Sequence, residues 1–417
     1  MSWRRQVMIV FLISFLLRFL ILCILGPLAD PPTSYNEQCR IALYLLHGTG
    51  FVSPVGPERN DPSSWYAPGF IAFMACVMWF FGEHSNATWV TIHIANLLAQ
   101  SGAMAVWFLV GRVLLGRRVA VCAAFLMTIT LALPPWTSIW DTYVAMFAGS
   151  VSLAVFILFR IKSWRGYFMT GALCGATALI NPFYSTSYPL WFLWKTRFML
   201  RNKKGTMKMM QYKLLPFLVG FGLVILPWTV RNCYIFKDFF YIRGNLGFEL
   251  WIGNAPSITA GNFIADFKRI NPIFDKTEAD RLVSMGEYAY FKACRQQALK
   301  WIADDPLRIG VLSIHKIKWF WIGQLSYEKD TFVYMVKILF FSAPGILSLI
   351  GAWLSFRQRS FSWLLQATLF IFPLPYYFTT SSIRYRQPIE PLVLLFTSVF
   401  LIWLFDKLKK FRRRRIV

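Results

Sequence analysis

The chain has 417 residues, 57% of them hydrophobic and 18% aromatic, but only 15% charged, where soluble domains carry about 25%. That composition excludes a disordered chain and speaks against an ordinary soluble enzyme. The net charge of +25 comes from 44 Lys and Arg against 19 Asp and Glu; the basic excess lies in short loops between apolar runs, so membrane topology accounts for it and no nucleic-acid partner is called for.

Arg4 and Arg5 precede an apolar run at 7–28 that is long enough to span a bilayer and has no small-residue cleavage site after it, so it reads as a retained first helix. Further runs predict spans at 88–111, 119–135, 142–160, 167–180, 184–197, 214–230, 332–356, 361–379 and 388–405. The expectation is an all-α polytopic membrane protein, a bundle of about ten transmembrane helices. Both termini then share a side, and Arg112, Arg117, Arg118, Arg160, Lys162, Arg165, the basic run 195–213, Arg357, Arg359 and the 407–415 tail share it too, which makes it cytoplasmic. The acids sort the other way: of 19, only Asp406 falls on that side. A further span at 68–82 would break this sorting, so that apolar stretch is read as a helix lying at the outer interface. The chain divides into a transmembrane module at 1–230 with a first external region at 29–87, a second external region at 231–331 with amphipathic helices, and the last spans with a basic tail at 332–417. Seven scattered cysteines show no zinc or disulfide spacing.

Candidate chemistry lies in the external segments. Ser34 is placed to cap a helix with Ile41, Leu45 and Leu46 on its apolar face, ending near Gly48 and Gly50. Glu37, in its first turn, is either a carboxylate favoured by the helix dipole or a base able to take a proton from an acceptor hydroxyl. Trp65 and Tyr66, before Pro68, fit an aromatic belt or a stacking face for a sugar ring. Asp141 is the one acid between Glu83 and Asp238, a helix N-cap or a functional carboxylate at the membrane edge. Arg231 and Arg243 are interfacial anchors or phosphate ligands. The dense Gly/Asn pattern from Gly244 through Asn245, Gly247, Glu249 and Gly253 to Asn254 suggests tight turns close to something bulky. Arg384, Tyr385 and Arg386, before the last span, clamp an anionic lipid head group or anchor the helix. There is no Walker, Rossmann, HExxH or nucleophile-elbow motif.

Taken in order, the segments 35–42 with 47–51, 65–68, 140–142, 227–232 with 243–254, and 384–388 resemble the GT-C superfamily of membrane glycosyltransferases. The likeness is to the family-39, protein-mannosyltransferase-like group that includes lipid A aminoarabinose transferase and the protein O-mannosyltransferases. It covers about residues 7–405. One departure stands out: the first-loop acid, often Asp or Asp-Glu in that group, is here Glu37 preceded by Asn36. The resemblance implies a GT-C-like bundle with outward-facing interfacial helices at 35–47 and 68–82. It implies a polyprenyl-phosphate sugar as donor and an envelope acceptor, glycolipid, polysaccharide or protein, used on the outer face of a bacterial inner membrane.

In that reading Glu37 is the catalytic base and Asp141 orients the acceptor or assists. Arg231, Arg243, Arg384 and Arg386 neutralise the leaving phosphate, and Trp65, Tyr66, Asn245, Glu249 and Tyr385 contact substrate. No cofactor is required; Glu37, Asp141 and a histidine offer at most a site for a divalent metal. A flippase or transporter of lipid-linked sugars, or a non-catalytic envelope scaffold, is the rival. A transporter should carry ionisable groups near the bilayer midplane, and Arg18 is the main charge there.

Overall fold

The computed structural model describes residues 2–25, 36–130, 139–196, 208–259, 263–324, 330–358 and 362–415. Among these residues the chain is helical, apart from one isolated antiparallel bridge between Val52 and Pro62. Five helices are long and apolar enough to cross a bilayer: Trp3–Ile24, Asn86–Leu114, Gln211–Phe236, Thr331–Arg357 and Arg384–Arg413. The other predicted spans are shorter apolar helices, Arg117–Thr130, Thr142–Leu158, Trp164–Ile180, Tyr188–Thr196 and Trp363–Ile371. A 17-residue helix reaches about 25 Å at 1.5 Å per residue. Predicted span ends at 26–28, 131–135, 197 and 361 lie outside the described residues. The seventh span overshoots its predicted end at 230 and runs to Phe236, with Pro227 inside it.

Lipid tails are as apolar as the helix surfaces, so close backbone approach replaces the hydrophobic effect in holding such helices together. Trp164–Ile180 and Leu215–Phe236 show this reciprocally: a Cβ on Gly171 would collide with the Phe217 carbonyl, and one on Gly220 with the Phe168 carbonyl. Arg18, the charge at depth, donates to Gln100 Oε1 at 3.1 Å, the Ser14 carbonyl at 2.9 Å and the Met127 carbonyl at 3.0 Å.

The two predicted interfacial helices are Glu37–Leu46 and Pro68–Phe81. They pack on each other through Cys39, Ile41 and Ala42 against Phe70, Ile71 and Met74. At the far end of the second, Trp79 and Phe80 stand 70% and 74% exposed, as an interfacial helix dipping into lipid requires. The N-cap of the first is Asn36, whose side chain accepts from Cys39 N at 2.9 Å; Ser34, the expected cap, lies outside the described residues.

The region after Phe236 folds into short helices, among them Leu246–Asn254, Lys276–Met285, Glu287–Asp304 and Pro306–Trp321. The amphipathic helices expected in 231–331 are interrupted at Gly286, whose φ of +84° suits glycine. This region and the 51–66 segment make one layer over one end of the bundle. Trp65 is buried among Phe248, Trp251, Ile252, Tyr290 and Phe291, and Gly244 N donates to the Ser64 carbonyl at 2.9 Å.

Candidate active site

A cavity of about 220 Å³ opens where that layer meets the bundle. Glu37 and Asp141 reach it from different helices, and Asn36 ties them together. While its side-chain oxygen caps one helix, its side-chain nitrogen donates to the Ile139 carbonyl, two residues before Asp141. Asp141 begins the Thr142–Leu158 helix but makes no side-chain capping bond. Its carboxyl faces the cavity and accepts from Gln38. Burial pushes that carboxyl above the ordinary aspartate range, opposed by the guanidiniums of Arg243 and Arg384 and by the Gln38 bond. Glu37 Oε2 is buried and has no hydrogen-bond partner among the described residues.

Two arginines bring positive charge to the same space. Arg243 is aimed by a bond from its Nε to the Trp65 carbonyl at 2.7 Å and lies over the Tyr66 ring, 5.5 Å from its centre. Its Nη2 is 3.9 Å from Glu249 Oε1. Arg384 lies over the Trp140 ring at 4.1 Å. Glu249 is itself held, accepting from Asn245 Nδ2 at 3.0 Å and from the Thr380 hydroxyl at 2.8 Å. Tyr376 and Tyr385 stack at 4.9 Å, as do Trp65 and Tyr66 at 6.1 Å, so aromatic faces line much of the wall. Tyr66 feels Glu37, Glu249, Arg243 and Arg384 together; burial, first of all, raises its phenol well above the ordinary value.

Of the residues singled out in the sequence, Glu37, Trp65, Tyr66, Asp141, Arg243, Glu249, Arg384 and Tyr385 line this cavity. Three do not. Arg231 spends its guanidinium on the Ser63 carbonyl (2.9 Å), the Phe51 carbonyl (3.2 Å) and Asn232 Oδ1 (3.0 Å), sandwiched by Phe51, Trp228 and Phe236. Arg386 is fully buried, paired twice with Glu390 at 2.7 and 2.9 Å and bonded to the Trp321 and Phe341 carbonyls. Two of the four arginines expected on a leaving phosphate are therefore bonded within the fold, and the other two line the cavity. Asn245 stands behind Glu249 and does not face the cavity itself. The Gly/Asn run does meet something bulky, but it is backbone: a Cβ on Gly253 would strike the Thr379 carbonyl, and Asn254 donates to the Phe378 carbonyl at 2.9 Å.

Other lining residues were not singled out as site residues, although Gln38 and Trp140 fall within segments that carry the resemblance. Gln38, Trp140, Asn181, Tyr376, Thr379 and Thr380 belong here, and tertiary contact reveals it. Glu287 opens the Glu287–Asp304 helix, yet it is buried and accepts from Ser64 N at 2.6 Å and the Ser63 hydroxyl at 3.1 Å. It thereby fixes the 63–65 segment that holds Trp65 and aims Arg243. Burial raises its carboxyl to about 7. Among the described residues no cluster of three or more His, Cys, Asp or Glu side chains is disposed to hold a metal.

A second cavity of about 340 Å³ adjoins the first and shares Phe267, Phe274, Thr380, Arg384 and Tyr385 with it. It adds Lys268 and Lys337 to a more apolar wall, so Arg384 stands where the two meet.

No protein-family profile matches the sequence, and no curated protein does. Solved structures do. The oligosaccharyltransferase AglB of Archaeoglobus fulgidus, in complex with an inhibitory peptide and a dolichol-phosphate, aligns over 99% of this chain at 15% identity with a TM-score of 0.54. The same organism's oligosaccharyltransferase with zinc and sulfate aligns over 96% at 16% identity with a TM-score of 0.52. The fold is GT-C. The chain spans about half the length of those proteins, 52% and 49%. A likeness to ArnT from Cupriavidus metallidurans bound to undecaprenyl phosphate, at 14% identity, is too loose at TM-score 0.39 to weigh.

Proposed function

We propose that the chain is a membrane glycosyltransferase that moves a sugar from a polyprenyl-phosphate donor to a hydroxyl of an envelope acceptor. The observation that carries this reading is the joining of two carboxylates, Glu37 and Asp141, with two guanidiniums, Arg243 and Arg384, in one aromatic-walled cavity. Glu37, with an unengaged carboxylate oxygen, accepts the acceptor's proton as its oxygen attacks the anomeric carbon; the bond from that carbon to the phosphate oxygen breaks, and the configuration inverts. Arg384, between the cavities, and Arg243 stabilise the negative charge that grows on the departing lipid phosphate. Asp141, held by Gln38, orients the acceptor. The adjoining apolar cavity with Lys268 and Lys337 suits the phosphate end of the lipid. The basic loops, by the positive-inside rule, support a cavity on the outer face of the membrane and termini in the cytoplasm; a bacterial inner membrane is the setting we favour.

The archaeal neighbour of the same fold was solved with a dolichol-phosphate, which supports a lipid-phosphate donor here. Arg18, the main deep charge that would suit a transporter, is bonded into helix packing and lines neither cavity. The test is a proteoliposome assay with a panel of radiolabelled polyprenyl-phosphate sugars and an envelope extract. Label appearing in a non-lipid or new lipid product supports transfer. Label crossing the bilayer with the donor intact would replace the transferase by a flippase.

A further inference from the structure

At the other end of the bundle lies a cavity of about 530 Å³ that the transfer chemistry does not use. Pro388 lines the catalytic cavity and Asp406 lines this one. Eighteen residues of mostly helical chain separate them, about 27 Å at 1.5 Å per residue, close to the ~30 Å of a bilayer's hydrocarbon core. The cavity therefore sits at the opposite membrane interface. It is enclosed by the start of the Arg117–Thr130 helix, the end of the Ala343–Gln358 helix, which supplies Ser355, and the last helix.

Its lining is strongly one-signed. Arg117, Arg118, Lys407 and Lys410 face a single carboxylate, Asp406. Asp406 is bound face-on to Arg118, with Nη2 to Oδ1 at 2.8 Å and Nη1 to Oδ2 at 3.1 Å. That pairing neutralises one cation and leaves Arg117, Lys407 and Lys410 around an open space. The Arg117–Thr130 helix begins at the rim and turns the positive end of its dipole toward it. Below the cations the wall is apolar, formed by Val119, Val399 and Ile402. Trp403 is part of it, with Lys407 Nζ 5.7 Å above its ring, as at a membrane interface.

We infer that this cavity binds the phosphate head group of an anionic membrane phospholipid, with Arg117, Lys407 and Lys410 on the phosphate and the acyl chains against the Val119–Val399 wall. The shared chemistry is a phosphate anion. A basic pocket between spanning helices is the setting in which such head groups are held, and a free phosphate ion would gain nothing from the apolar wall beneath it. The site is independent of what the catalytic cavity does, and it keeps the last helix, which carries Arg384 and Arg386 at its other end, docked on its neighbours.

The test is lipid retention by the purified full chain, read by native mass spectrometry after exchange into micelles holding equal phosphatidylglycerol and phosphatidylcholine. The wild type should keep phosphatidylglycerol preferentially. The triple variant Arg117→Gln, Lys407→Gln, Lys410→Gln should lose at least about tenfold of that preference, since each such cation attracts an anionic head group at the lipid surface. A triple with the same charge change outside the cavity, Lys409→Gln, Arg412→Gln, Arg413→Gln, should keep it. If the first triple does not fold, Lys410→Gln alone should still lower the preference severalfold. Equal retention of both lipids by the wild type, or an equal loss in both triples, would overturn the site. Displacement of phosphatidylglycerol by millimolar inorganic phosphate would overturn the lipid assignment in favour of a small anion.

Discussion

Arg384 and Arg386 are two residues apart and do opposite things. Arg386 is sealed in protein, with Glu390 and two carbonyls taking its donors. Arg384 rests on Trp140 and looks into the cavity beside Asp141. Arg231 and Arg243 repeat the contrast across the other wall: the first clamps the 51–63 segment, while the second, aimed by the Trp65 carbonyl, lines the cavity. Charges satisfied within the fold hold the walls, and charges left open between those walls are available to a substrate. Variants should separate accordingly, those at the holding residues lowering stability and those at the lining residues lowering turnover.

The largest loss is expected at the sealed pair. Arg386→Ala strands a buried Glu390 carboxylate, and breaking such a pair costs about 3–5 kcal/mol, which should appear as a collapse of the thermal midpoint in detergent or a failure to accumulate. An unchanged midpoint would show that the pair holds nothing. Arg384→Gln should reverse the pattern, with the midpoint nearly kept and turnover reduced about 10²–10³-fold, the range for losing one contact to developing anionic charge. Comparable turnover in the two variants would erase the distinction.

Glu287 sharpens the comparison through pH. Its folded carboxyl titrates at about 7 against 4.5 when free, so native protein keeps its proton over a window where the unfolded chain does not. Its contribution is fully present below about pH 4.5 and is lost as pH rises through about 7, at up to about 1.4 kcal/mol per pH unit. Glu287→Gln should flatten that part of the stability profile between pH 5 and 7; a profile identical to wild type would remove Glu287 as a pin of the 63–65 segment. The smallest effect belongs to Asn36→Ala. Loss of the cap costs about 1 kcal/mol, and losing the tie to Ile139 frees Glu37 from Asp141, so turnover should fall more than the midpoint suggests. Loss of stability alone, with turnover per folded molecule unchanged, would mean that Asn36 merely caps.

How much of this was legible beforehand follows from what kind of signal each part carries. Span positions and the 68–81 interfacial helix come from long apolar runs and from the sorting of charge, and the 37–46 helix from its cap and apolar spacing, all local properties of the chain. Asp141 stood out because an isolated carboxylate at a membrane edge is costly to keep without a use, and Glu37 because it falls in the first turn of a helix and matches the first-loop acid of the resemblance. Arg231 and Arg386 could not be told from Arg243 and Arg384, because the difference lies in partners such as Glu390 and the Ser63 carbonyl, far away in sequence or on the hidden side of a helix. Ser34 and Asn36 are both good caps, and only the backbone shows which one starts the helix. Glu287 was hidden because a carboxylate in the first turn of an amphipathic helix looks like one more polar residue favoured by the helix dipole.

The most direct test of the central claim is turnover of Glu37→Gln in proteoliposomes, measured beside wild type with a donor the wild type accepts and with the thermal midpoint of both recorded. Loss of the base predicts a fall of about 10²–10⁴-fold at an unchanged midpoint, with Asp141→Asn falling less. Wild-type turnover by folded Glu37→Gln would contradict the assignment of the base and with it the account of the cavity.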